Sequence, residues 1–158
     1  MIMKTETSFS EYRMKPSKAY GKRYDADDSK YYTDGTIILL RSAVKRPYKR
    51  MLERIPATRN VTENGADRVF SSADNRSAEQ LSIDDVVFSN PLSRYNMINL
   101  HTEGNMSCVT LDADRVKLIL AKVENPTFWY TGKKNSVIIR SNGDPVGLIM
   151  PICDTRPH

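Results

Sequence analysis

The sequence predicts an α+β fold built from antiparallel strands with one main helix in each half. Three observations carry the prediction. Residues 112–123 combine capping aspartates with apolar positions at helical spacing. Three short runs rich in β-branched and aromatic residues follow, at 127–131, 136–140 and 146–152, with turn residues between them. Near the front, Asp34-Gly35 joins two runs of strand-forming residues, a strong hairpin signal.

In chain order, Phe9, Tyr12 and Met14 are placed to form one face of a short strand, and Pro16 to Tyr20 read as a turn or a single helical turn. The hairpin spans 21–41. Its second arm, Ile37-Ile38-Leu39-Leu40, is apolar on both faces and should be a central strand. Residues 42–54 have helical spacing at Tyr48, Met51, Leu52 and Ile55, with Ser42 or Ala43 as the start and Pro47 near the first turn. Residues 56–80 are rich in Asn, Asp, Ser, Thr and Gly without a period, and read as a long loop or insertion that Val61, Val69 and Phe70 could tack to the body. Residues 81–88 resume order as a strand, or as a helical turn and a strand.

The closing unit should run strand, helix, strand, strand, strand. Glu103-Gly104-Asn105 marks a turn within residues 98–111. Asp112 or Asp114 caps the helix, and Val116, Ile119, Leu120 and Val123 form its stripe. Asn125-Pro126 ends it, and Ser141-Asn142-Gly143-Asp144 is a turn between strands. The expected organisation is one domain over 1–152, with the insertion at 56–80 and a tail at 153–158.

Composition narrows the partners. The 158 residues are 27% charged, and no apolar run approaches the roughly 18 residues of a membrane span. No apolar region follows the first basic residue, so a cytoplasmic location with Cys108 and Cys153 as reduced thiols is expected. The net charge is +5, which permits an anionic partner. Between Arg41 and Arg59 stand seven basic residues and one acid, Glu53. Lys45, Arg46, Lys49, Arg50 and Arg54 in this stretch are the best candidates for meeting phosphates or an acidic protein surface, helped by Arg115 and Lys122.

Catalytic motifs are weak by comparison. His101 and Cys108 are too few for a zinc site and have no evident orienting group. Asp25, Asp27, Asp28 and Asp34 lie in a turn-rich hairpin, and Gly132-Lys133-Lys134 lacks the spacing of a phosphate loop. Trp129 and Tyr130 read as core and rim. A non-enzymatic protein without metal or cofactor is expected.

Two groups of residues resemble a known family. Residues 111–120, Leu-Asp-Ala-Asp-Arg-Val-Lys-Leu-Ile-Leu, followed by three strands and Gly147-Leu-Ile-Met-Pro-Ile, resemble the closing half of a bacterial sliding-clamp domain. Tyr32-Thr-Asp-Gly-Thr resembles the turn carried in the first half of such domains. The resemblance implies a clamp-like domain, homo-oligomerisation, DNA as partner and a phage or mobile-element origin. The chain has room for one such domain, and its helix carries Asp112 and Asp114 beside Arg115, Lys117 and Lys122. The expected function is therefore a DNA-associated accessory or clamp-like binding protein. The alternative is a small phage-type inhibitor that docks on a host nucleic-acid enzyme or defence complex.

Overall fold

The computed structural model describes residues 5–13, 31–33, 36–44, 68, 70–73, 77–89, 95–132 and 135–152. Within them the fold is α+β and dominated by antiparallel strands. The strands are β1 (Thr5–Ser8), β2 (Tyr31–Thr33), β3 (Ile37–Leu40), β4 (Glu79–Ser89), β5 (Asn96–His101), β6 (Cys108–Asp112), β7 (Pro126–Tyr130), β8 (Val137–Ser141) and β9 (Asp144–Ile149). Helix α1 (Ala113–Lys122) lies between β6 and β7. The strand path is β2-β3-β9-β8-β7-β4-β5-β6, and β1 pairs with β4 beside it.

Strand β4 joins two parts of this path. Its first residues pair with β7, Gln80 opposite Trp129. Its last residues pair with β1 and with β5, Val87 opposite both Thr7 and Ile98. Between Ile83 and Val87 the register with β5 slips through a bulge. There Asp85 ties down the chain leaving β1: its carboxylate accepts from Ser8 Oγ and the Ser10 amide, and its carbonyl accepts from the Phe9 amide.

Helix α1 follows from its cap and its stripe. Asp112 Oδ1 accepts from the Asp114 amide at 2.9 Å, which satisfies one of the first-turn N–H groups that lack a helical partner. Ala113, Val116, Leu118 and Ile119 are fully buried, against residues from β3 through β9. Full burial of Leu118 or Ile119 stabilises the fold by about 1.5–3 kcal/mol each. The buried stripe is rotated from the expected one. Leu118 takes a core position, and Leu120 lies at the solvent border.

Pleat alternation sorts the strands in the same way. Ile98 and Leu100, Val109 and Leu111, and Val137 and Ile139 all point into this core. On the opposite face of β8 and β9, Ile138 and Leu148 form a smaller cluster with Ala73, packed by Phe70, Ala78 and Trp129. The Tyr31 and Phe70 rings meet with centroids 5.8 Å apart.

Several sequence expectations change. No helix begins at Ser42 or Ala43: Arg41–Ala43 is one 3-10 turn, and Val44 is extended and forms a bridge with Val123. A β-branched valine suits that extended bridge. The remainder of the expected helix, 45–54, lies outside the described residues. The expected loop at 56–80 contains helical residues at 68 and 70–73, and β4 already begins at Glu79. Phe70 and Ala73 supply the missing reason, since they cover apolar sheet surface. Of the two alternatives for 81–88 the strand is the one present, as part of a continuous β4. β1 ends before Phe9, which is buried beyond it. Residues 14–30, including Pro16 to Tyr20, and the tail at 153–158 lie outside the described residues.

The strand pairing expected on either side of Asp34-Gly35 is present, while residues 21–30 and 34–35 lie outside the described residues. β2 and β3 pair with Tyr31 opposite Leu40, and β3 is also paired with β9, which makes it a central strand. β8 and β9 close through Asn142 and Gly143 with φ of 51° and 88°, the positive pair that a two-residue hairpin turn requires. After β9 the chain donates from Met150 N to Thr36 O and from Ile152 N to Thr110 O, both at 2.8 Å. These bonds carry the chain from the start of β3 to the outer edge of β6 and draw the two ends of the path together. No helix among the described residues is long and apolar enough to cross a membrane.

Gly147 sits opposite Leu39 in the pair of β9 with β3. A Cβ there would stand 2.4 Å from the Ile38 carbonyl oxygen and 2.6 Å from a Leu39 methyl. Backbone cannot yield as a flexible side chain can. Gly147→Ala should lower unfolding free energy by about 1–3 kcal/mol, read as a lower urea midpoint; an unchanged midpoint would contradict the close approach.

Candidate functional site

The basic stretch has a structural root. Ala43 and Val44 pack on the core, and Val44 bridges Val123 at the end of α1. Lys45 follows Val44 in the chain, and Lys122 precedes Val123. The start of the basic stretch is thus pinned beside the last turn of α1, where Lys122 is half-buried. Lys45, Arg46, Lys49, Arg50 and Arg54 themselves lie outside the described residues.

Arg115 is placed differently from the expectation. It is 4% exposed, and its Nη1 donates to Asp112 Oδ2 inside the protein. Asp112 is itself 3% exposed, so the pair forms a buried ion pair at the start of α1. Removing one partner would leave the other charge buried, which costs about 3–5 kcal/mol. Arg115 is therefore a structural residue and leaves the set that could reach phosphates. The rotation of α1 turns Arg115 toward the core, next to the carboxylate that caps the helix.

Asp114 is held as well. Tyr12 donates its hydroxyl to Asp114 Oδ1, which connects the segment after β1 to the first turn of α1. Burial, and then the hydrogen bond to Asp114 and its charge, push the Tyr12 hydroxyl far above its ordinary value near 10. A raised folded value means that this contribution is complete below about pH 10 and is lost as pH rises toward the folded value. Tyr12→Phe should therefore cost about 1–2 kcal/mol at neutral pH. The gap to wild type should narrow in strongly alkaline urea melts; a gap that widens with pH would contradict the assignment.

A second cluster lies on the outer face of β4, β5 and β6. His101 is opposite Ser82 on β4 and Cys108 on β6. Its Nε2 is 2.7 Å from Asp84 Oδ2, and both side chains are partly exposed. Asp84 reaches the ring from the bulged part of β4, two residues beyond Ser82. Nothing local in the sequence points to this orienting group, since 17 residues separate the two. Nearby, Thr110 donates to Asn99 at 2.7 Å.

Cys108 is exposed on the edge of this row, and burial of its thiol, then the Asp84 charge, raise its pKa. A raised pKa favours the thiol over the thiolate at neutral pH. Among the described residues, no group of three or more His, Cys, Asp or Glu could hold a metal ion. Asp25, Asp27, Asp28 and Asp34 lie outside the described residues.

Comparison with protein-family models, with curated proteins and with solved structures finds no match. The sliding-clamp resemblance accordingly rests on the sequence motifs.

In a Cys153→Ser chain, iodoacetamide should label Cys108 slowly at neutral pH, with the rate still rising above the ordinary thiol value of about 8.5. Asp84→Asn should move that profile to lower pH. A profile centred below the ordinary value would contradict the environment described.

Proposed function

We propose that this protein is a non-catalytic, DNA-associated binding protein of clamp-like architecture, and that the basic stretch from Arg41 to Arg59 is its anionic-partner surface. The observation that carries the reading is the bridge between Val44 and Val123. It fixes Val44, the residue before Lys45, to the body beside Lys122, and the run of cations continues from there in the sequence. Lys45, Arg46, Lys49, Arg50 and Arg54 meet phosphates, and Lys122 extends the surface from α1. Each phosphate neutralised releases a counterion, which makes affinity fall with salt.

The clamp-like part of the proposal draws on the order β6-α1-β7-β8-β9, the strand-helix-strand-strand-strand arrangement that the resemblance implies. In α1 the half-buried cations are Lys117, which lies 4.6 Å over the Phe9 ring, and Lys122. The principal charge therefore comes from the stretch after β3 rather than from the helix. The inhibitor alternative would use the same cations on an acidic protein. Insertion of residues 56–80 into a partner's cleft fits less well, because Phe70 and Ala73 pack on the protein's own sheet.

The test is binding to a short DNA duplex across a salt series. Six contacts would lose on the order of 10³-fold in affinity from about 50 to about 200 mM salt. Lys49→Glu with Arg50→Glu should weaken binding by about 10-fold or more, while Arg115 variants should act through stability instead. Salt-insensitive or absent binding to duplex, with a stable complex on an acidic protein, would overturn the DNA reading in favour of the alternative.

A further inference from the structure

The protein's only tryptophan, Trp129, lies half-buried on β7. Its neighbour Phe128 points into the main core, so Thr127 and Trp129 share the opposite face. Strand register fills in that face. Thr127 is opposite Arg140 on β8, and Trp129 is opposite Ile138 on β8 and Gln80 on β4. The Arg140 guanidinium carbon stands 4.4 Å from the Trp129 ring centroid. The indole Nε1 donates to Thr127 Oγ1 at 2.9 Å, which fixes the ring within its strand. A register shift between Ile139 and Arg140 accompanies the departure of Arg140 toward the ring.

The polar equipment of this face is largely unused. Arg140 is half-exposed and has no carboxylate partner among the described residues. Gln80 is exposed, directly beside Trp129 across the strand pair. Lys133 and Lys134 stand between β7 and β8 in the sequence and lie outside the described residues.

We infer that Arg140, Trp129 and Gln80 form a binding site for an unpaired nucleobase of single-stranded nucleic acid. A guanidinium beside an indole offers a planar cation on which a base stacks. The Gln80 amide offers both a donor and an acceptor to a base edge. Arg140 also supplies charge for the adjoining phosphate, in a chain that is cationic overall. This site shares with the reading above only the nucleic-acid partner. It uses different residues and a different nucleic-acid form, so each can fail alone.

The experiment follows Trp129 fluorescence in the full-length chain during titration with oligothymidylate and, separately, with polyphosphate of matched charge. Oligothymidylate should quench saturably and polyphosphate should not. By fluorescence anisotropy of a labelled oligothymidylate, Arg140→Ala should weaken binding by about 5- to 150-fold, the range for loss of one stacked base. Arg140→Lys, which keeps the charge and the fold but loses the plane, should also weaken it. The Lys49→Glu, Arg50→Glu chain should keep the quench even where its duplex affinity has collapsed. Absence of quenching, equal quenching by polyphosphate, or wild-type binding by Arg140→Lys would each overturn the inference.

Discussion

The continuity of β4 is the constraint on which the rest depends. One 11-residue strand pairs with β7 at its start and with β1 and β5 at its end. Through it the hairpin strands β7, β8 and β9 and the strands β5 and β6 become one path. That path can then bury α1 in a core with contributions from β3 through β9. The bulge lets one strand serve both ends, since a local slip bends the strand and increases its twist. Its two carboxylates are used in different ways, Asp85 to hold the chain after β1 and Asp84 to orient His101.

Helix α1 places charge in two environments at once. At its start, Asp112 and Arg115 are buried together, and Asp114 is tied to Tyr12. At its end, Lys122 remains near solvent and Val123 receives the bridge from Val44. The N-terminal end is therefore a fastening point and the C-terminal end a presenting one. The residue that forms this bridge, Val44, is followed in the sequence by the basic stretch that begins with Lys45 and Arg46.

The back half was legible because its signals are local. A capping aspartate, Asn125-Pro126 and Asn142-Gly143 each act through neighbours a few residues away, and all three lie where they were expected, whereas the buried stripe of α1 is rotated to take in Leu118. The failures are non-local. Val44 extends instead of starting a helix because its partner, Val123, is far along the chain. Phe70 and Ala73 become helical cover for a sheet face that periodicity within 56–80 could not reveal. At the candidate site, the charge of Arg115 was readable but its inward direction was not, because that depends on the rotation of α1 within the sheets. Asp84 beside His101 needed strand register, and so did the row of Gln80, Trp129 and Arg140.

The measurement that tests the central claim most directly is solution mass by light scattering, with and without a short DNA duplex. The account predicts that the mass increases by at least that of the duplex at low salt, and by a ring-sized multiple if the clamp-like architecture closes around DNA. A mass that stays the same with duplex present would contradict the assignment of the stretch rooted at Val44 as a nucleic-acid surface.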